Sequence, residues 1–170
     1  MRFSRRLIPA FALAVLTLPF DLLAASLPAP AGKVILTLSG EIEHTNVDGT
    51  AQFDRAMLEA LGTHEFTTGT PYTEGVNTWR GIFLKDLLAK VGANESRLLF
   101  EALDLYTWEV TPEFVASHDV LLAFEKDGRT MRVRDKGPIW ALFNWDADPS
   151  LNNEAVNGAS VWQLRTIIVK

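Results

Sequence analysis

The chain contains no cysteine among its 170 residues. That excludes disulfides, thiol nucleophiles, iron–sulfur clusters and zinc–thiolate sites together. Histidine is nearly as scarce, with only His44, His64 and His118. None of them falls at metal-ligand spacing, and His64-Glu65 lacks the second histidine four residues on that a zinc protease helix carries. No Gly-x-Ser-x-Gly segment occurs, so a hydrolase nucleophile elbow is absent. Positive charge is in deficit too: 16 Lys and Arg stand against 21 Asp and Glu, for a net charge of −5. A domain of that sign repels phosphate backbones, and nucleic acid is not an expected partner.

The first residues differ in composition from the rest. Arg2, Arg5 and Arg6 precede an apolar run from Leu7 to Leu23, and the small residues Ala24-Ala25-Ser26 follow. This is the layout of a cleaved signal peptide over residues 1–25. Pro9, Pro19 and Asp21 make the run a poor match to the ~20 apolar residues of a spanning helix, which is the rival reading. Ser4-Arg5-Arg6 leaves both general secretory and twin-arginine export open. Cleavage removes three positive charges and one negative, taking the net charge from −5 to −7. A flexible mature N-terminus over 26–32 and a single domain over 33–170 are expected, in the periplasm or secreted. A domain of that length can build a sufficient core without disulfides.

Periodicity predicts strands at Val34–Gly40, Glu65–Thr70, Arg97–Ala102, Tyr106–Val110, Asp119–Lys126, Thr130–Arg134, Ile139–Phe143 and Val161–Val169. Helices are expected over Gln52–Leu61, over Leu84–Val91 with Gly92 as C-cap, and as one turn after Thr111-Pro112. Asp48-Gly49 is a turn signal, and Asp127-Gly128 marks a two-residue hairpin turn into Thr130–Arg134. No strand–helix alternation repeats, so the fold class is α+β, mainly β, with short helices.

Several segments, in order, resemble one family. They are Trp79-Arg80-Gly81-Ile82-Phe83-Leu84 with Asp86-Leu87-Leu88, Asp104-Leu105-Tyr106, Asp119–Ala123 with Asp127-Gly128, Lys136-Gly137-Pro138, and Val161–Ile167. Together they resemble the molybdopterin-binding domain of sulfite-oxidase-like oxidoreductases, over roughly Lys33 to Lys170. The resemblance implies that family's fold and a cofactor cleft. In the family a cysteine sulfur holds molybdenum, and here there is none. Lys136 stands where the family has histidine, and Trp140 where a basic residue would face the pterin phosphate. Few basic residues are expected to remain there.

The resemblance places a ligand-binding cleft at Trp79, Arg80, Asp104, Tyr106, Trp108, Lys136 and Trp140. Asp104, Tyr106 and Trp108 are expected to leave one strand face at alternating positions. Aromatic walls with a few fixed charges describe a small-molecule pocket. The same tryptophans read equally well as core, with Asp104 and Lys136 paired at the surface. Asp146 to Asn157 places oxygen-bearing side chains at calcium-loop spacing, but Leu151 stands where glycine is required and a solvated polar loop is the expectation. The functional expectation is an exported small-molecule-binding or sensing domain, with no catalytic or metal residues and no cofactor. A membrane-bound sensor is a possible partner. A molybdopterin oxidoreductase or pterin carrier without thiolate, and a purely structural protein, are the alternatives.

Overall fold

The computed structural model describes residues 27–93 and 97–170. The expected signal peptide lies outside the described residues. Leu27 is buried, and the backbone N–H groups of Ala31 and Gly32 donate to the Asp54 carboxylate at 2.9 and 2.7 Å. The expected lead-in is thus laid against the domain from Leu27 onward.

The chain opens with β1 (Val34–Gly40), β2 (Ala51–Asp54) and α1 (Arg55–Glu59). It continues through β3 (His64–Thr70), β4 (Thr73–Phe83), α2 (Leu84–Val91), β5 (Leu98–Ala102) and β6 (Thr107–Val110). Then follow α3 (Pro112–Ser117), β7 (Leu121–Lys126), β8 (Arg129–Thr130), β9 (Trp140–Leu142), α4 (Glu154–Ala159) and β10 (Leu164–Val169). One sheet has the order β2-β1-β10-β5-β6, in which β1 and β10 run parallel. The other has the order β3-β4-β7-β8, with β9 pairing the first half of β7. A single hydrophobic cluster draws on both, including Leu36, Phe100 and Ile167 from the first and Ile82, Phe124 and Trp140 from the second. The α+β, mainly β class is as expected. No helix among the described residues is long and apolar enough to cross a membrane.

Local chemistry explains most boundaries. α2 buries Leu84, Leu87, Leu88 and Val91 on one face and ends at Gly92 in the left-handed region. The hydroxyl of Thr111 caps α3, with Pro112 in its first turn. The helix expected over Gln52–Leu61 begins only at Arg55. Leu36 and Phe53 pair across β1 and β2, and Asp54 then caps α1 by accepting from the Met57 N–H. The strand expected over Thr130–Arg134 stops at Thr130, because the chain turns into a 3-10 turn at Val133–Asp135.

Besides β2, two further elements were not expected. β4 has 11 residues, and its exposed Thr-Glu-Gly-Val-Asn beginning carries no apolar alternation. Pairing with β3 and β7 on its two sides makes it a strand. α4 falls within the expected polar loop, where Asn153 caps it and Val156 and Ala159 are buried.

Gly81 has a steric reason within this framework. A Cβ there would collide with the Leu122 carbonyl of β7, beside the register shift between Arg80 and Gly81. Gly81→Ala is expected to destabilise the fold by about 1–3 kcal/mol, the usual cost of forced overpacking, read by urea denaturation.

Asp54 supplies a pH-dependent contribution. Donation from the Met57, Gly32 and Ala31 N–H groups holds its carboxyl below the ordinary range. A depressed carboxyl stabilises the fold above its unfolded value and loses that contribution as pH falls through its folded value. The Tm gap between wild type and Asp54→Ala is therefore expected to be widest near neutrality. It should narrow below about pH 4, and a gap independent of pH would contradict the assignment.

Candidate functional site: two cavities divided by an aromatic wall

The larger cavity, of about 910 Å³, is built by the β7–β8 hairpin, the segment after it, β4 and β9. Asp127 and Gly128 both take positive φ, which closes the hairpin in two residues and sets Lys126 and Arg129 opposite each other. The 3-10 turn then carries Arg134 and leads to Lys136, itself in the left-handed region. Trp79 of β4 and Trp140 of β9 line the cavity, although both are fully buried. Their rings meet edge to face with centroids 5.1 Å apart. The Trp79 Nε1–H donates to the Thr68 carbonyl, and the Trp140 Nε1–H to Ser160.

The lining carries Lys126, Arg129, Arg132, Arg134 and Lys136 against Asp127 and Asp135. Asp135 is bonded to Arg132 at 2.7 Å, which holds its carboxyl below the ordinary range. Lys126, Arg129 and Lys136 have no carboxylate partner within ion-pair distance among the described residues. Lys126 lies over the Trp79 ring instead. The Lys136 ammonium sits 3.9 Å from the Trp162 centroid, 5.4 Å from Trp140 and 5.8 Å from Tyr72. Burial pushes its pKa down. The expectation of few basic residues is therefore corrected. They arrive from the run Arg129-x-x-Arg132-x-Arg134-x-Lys136, which precedes the proline instead of following it.

The smaller cavity, of about 200 Å³, lies between the turn before β6, α4 and the segment into β10. Asp104 and Tyr106 line it with Tyr72, Asn157, Gly158 and Trp162. Tyr72 and Trp162 meet edge to face at 5.2 Å, and Tyr72 also lies 6.3 Å from Trp140. The two tyrosine hydroxyls donate to the backbone carbonyls of Asn157 and Gly158, both at 3.2 Å. Burial raises both phenol pKa values, so both stay protonated at neutral pH.

The seven residues expected to share one cleft are thus distributed. Trp79, Lys136 and Trp140 meet in the larger cavity, and Asp104 and Tyr106 in the smaller. Arg80 lines neither of these two. Successive residues of β4 face opposite ways, and Arg80 bonds Glu125 at 3.0 Å and the Thr63 hydroxyl at 3.2 Å. Trp108 packs beneath Gly158 of α4, where a Cβ would strike its ring. Asp104 is not on the strand: Leu105 takes a φ of 69°, and the Asp104 carboxylate accepts the Tyr106 N–H at 3.1 Å. The expected alternation breaks there. Asp104 and Lys136 do not form an ion pair, since Lys136 is drawn to the aromatic rings. Tyr72 was missed because it precedes β4 in a stretch with no strand signal.

Three side chains of the calcium-like loop spend an oxygen on backbone N–H groups. Asp146 accepts the Gly69 N–H, Asp148 the Ser150 N–H and Asn153 the Val156 N–H. Among the described residues no group of three or more His, Cys, Asp or Glu side chains converges to hold a metal ion.

The family model for the oxidoreductase molybdopterin binding domain matches residues 44–144. That stretch runs from before β2 to just past β9, and includes the β7–β8 hairpin and Lys136-Gly137-Pro138. No curated protein matches the chain.

The burial of Trp140 has a direct consequence. Trp140→Ala is expected to cost about 3–5 kcal/mol, seen as an early urea midpoint, so any loss of binding in that variant reports loss of fold. A midpoint close to wild type would contradict the core role assigned to this ring.

Proposed function

Because the chain belongs to the oxidoreductase molybdopterin-binding domain family, we propose that it is an exported member whose cleft binds a small, anionic, ring-bearing molecule and does not house a thiolate-ligated molybdenum centre. The observation that carries this reading is one cavity lined by three cations without a carboxylate partner among the described residues, Lys126, Arg129 and Lys136, in which Lys126 lies over the Trp79 ring and Lys136 over the Trp140 ring. In a chain of net charge −5, that concentration of positive charge is local. Aromatic surface supplies stacking area, and the cations favour phosphate or carboxylate on the ligand.

These side chains match the family cofactor at one end only. A thiolate-ligated molybdenum needs a cysteine sulfur, and the chain has none. The metal end of the cofactor therefore does not fit the donor set. An anionic phosphate end does fit, which favours a second reading: a carrier of pterin phosphate without ligated metal. In the first reading the domain senses or delivers its ligand outside the cytoplasm, docking on a membrane-bound signalling protein. The basic, apolar and small-residue order of residues 1–25 supports export.

Native mass spectrometry with elemental analysis, on protein from the periplasm of producing cells, tests the proposal. The expected result is a chain shortened by its leader, carrying an organic anion and no molybdenum. Pterin fluorescence in that fraction would select the carrier reading, and stoichiometric molybdenum would overturn the proposal. Flavin mononucleotide is a ring-bearing phosphate probe, with riboflavin as its uncharged counterpart. The phosphorylated probe is expected to raise Tm more, since binding only the folded state stabilises it. Arg129→Ser should weaken that binding by about tenfold, on the scale of one charge-assisted contact. Bare protein that neither probe stabilises would leave a structural role instead.

A further inference from the structure

We propose that the smaller cavity is a second binding site, distinct from the cationic cleft, and that it takes a small alkylammonium group. Its walls are the rings of Tyr72, Tyr106 and Trp162, and its one charged lining residue is Asp104. No lysine, arginine or histidine lines it. Asp104 forms no ion pair within 4.0 Å among the described residues. One of its oxygens accepts the Tyr106 N–H, and the other has no hydrogen-bond partner among the described residues.

The polar groups of the wall are weighted toward acceptors. Both tyrosine hydroxyl protons are spent on the backbone carbonyls of Asn157 and Gly158, so both phenol oxygens offer lone pairs only. The side-chain oxygen of Asn157, a lining residue, is buried without a donor among the described residues. Its uncompensated partial negative charge adds to the preference of the cavity for a positively charged guest. Aromatic faces beside one carboxylate are the environment that recognises alkylated ammonium groups.

Size narrows the ligand. At about 200 Å³ the cavity is smaller than the ~300–1,000 Å³ typical of sites for drug-sized molecules, so it accommodates a head group. The wall also binds a cation already. Lys136, which lines the cationic cleft and not this cavity, places its ammonium 3.9 Å from the Trp162 centroid. The two cavities therefore share an aromatic partition while offering opposite charge.

The test titrates the mature protein with choline and tetramethylammonium, following tryptophan fluorescence and Tm. The control is 3,3-dimethyl-1-butanol, the uncharged isostere of choline. Saturable binding of the ammonium probes, at least about tenfold tighter than the isostere, is expected from one retained cation–π and carboxylate pairing. Asp104→Asn keeps an oxygen for the Tyr106 N–H but removes the charge. It should keep the wild-type Tm without ligand and lose about tenfold in choline affinity. Phosphatidylcholine vesicles, in a flotation assay, identify a lipid head group as the source if they bind with the same Asp104 dependence. Equal binding of the isostere, or full affinity in Asp104→Asn, overturns the proposal, as does absence of binding to both free probes and vesicles. Arg129→Ser should leave choline binding unchanged, so this site and the anion site fail or succeed separately.

Discussion

The edge-to-face contact of Trp79 and Trp140 is the constraint on which both cavities depend. It joins the longest strand, β4, to the short β9 through two side chains that exclude water. Burying two indoles carries the cost of two N–H donors, and each is matched, by the Thr68 carbonyl and by Ser160. Those partners fix the backbone of β3 and of the segment after α4. The contact therefore sets the spacing between the sheet that carries the basic hairpin and the helix that borders the smaller cavity.

From that pair the aromatic cluster extends outward to Tyr72 and Trp162 and becomes a partition. On one side, the turn after β8 delivers a series of cations. On the other, the turn before β6 delivers Asp104. Lys136 marks the boundary, its ammonium held by ring faces and not by a carboxylate. That arrangement leaves the Asp104 charge free on its own side and keeps positive charge in the larger cleft. A chain whose overall charge is negative thus holds, within one fold, two cavities whose charged linings differ in sign.

Membership of the molybdopterin-binding family and absence of cysteine are compatible once scaffold and metal ligation are separated. The residues retained from the family pattern include ones the backbone needs. Gly81 admits the Leu122 carbonyl, Gly137 admits the Met131 carbonyl, and Asp127-Gly128 closes a two-residue hairpin. The missing cysteine removes a metal ligand and leaves these backbone requirements untouched. Selection on the scaffold and selection on the metal centre act on different atoms, and a fold is free to keep one without the other.

The sequence by itself determined what rests on local chemistry. The amphipathic α2 and its glycine stop, the Thr111-Pro112 helix start, both Asp-Gly turns and the mainly β class were legible because periodicity and backbone preference act within a few residues. Lack of a thiolate was equally plain. Tertiary structure decided which side chains meet. β4 begins in a stretch without alternation and is a strand because neighbours pair with both its edges. Arg80 leaves the cleft because its neighbour Trp79 claims the inward side of the strand. Asp104 leaves the strand face because Leu105 turns left-handed, and only then can it join Tyr72, 32 positions earlier, and Trp162, 58 positions later. Such meetings depend on long-range pairing and on the competition for interior volume, neither of which is encoded in the spacing of neighbouring residues.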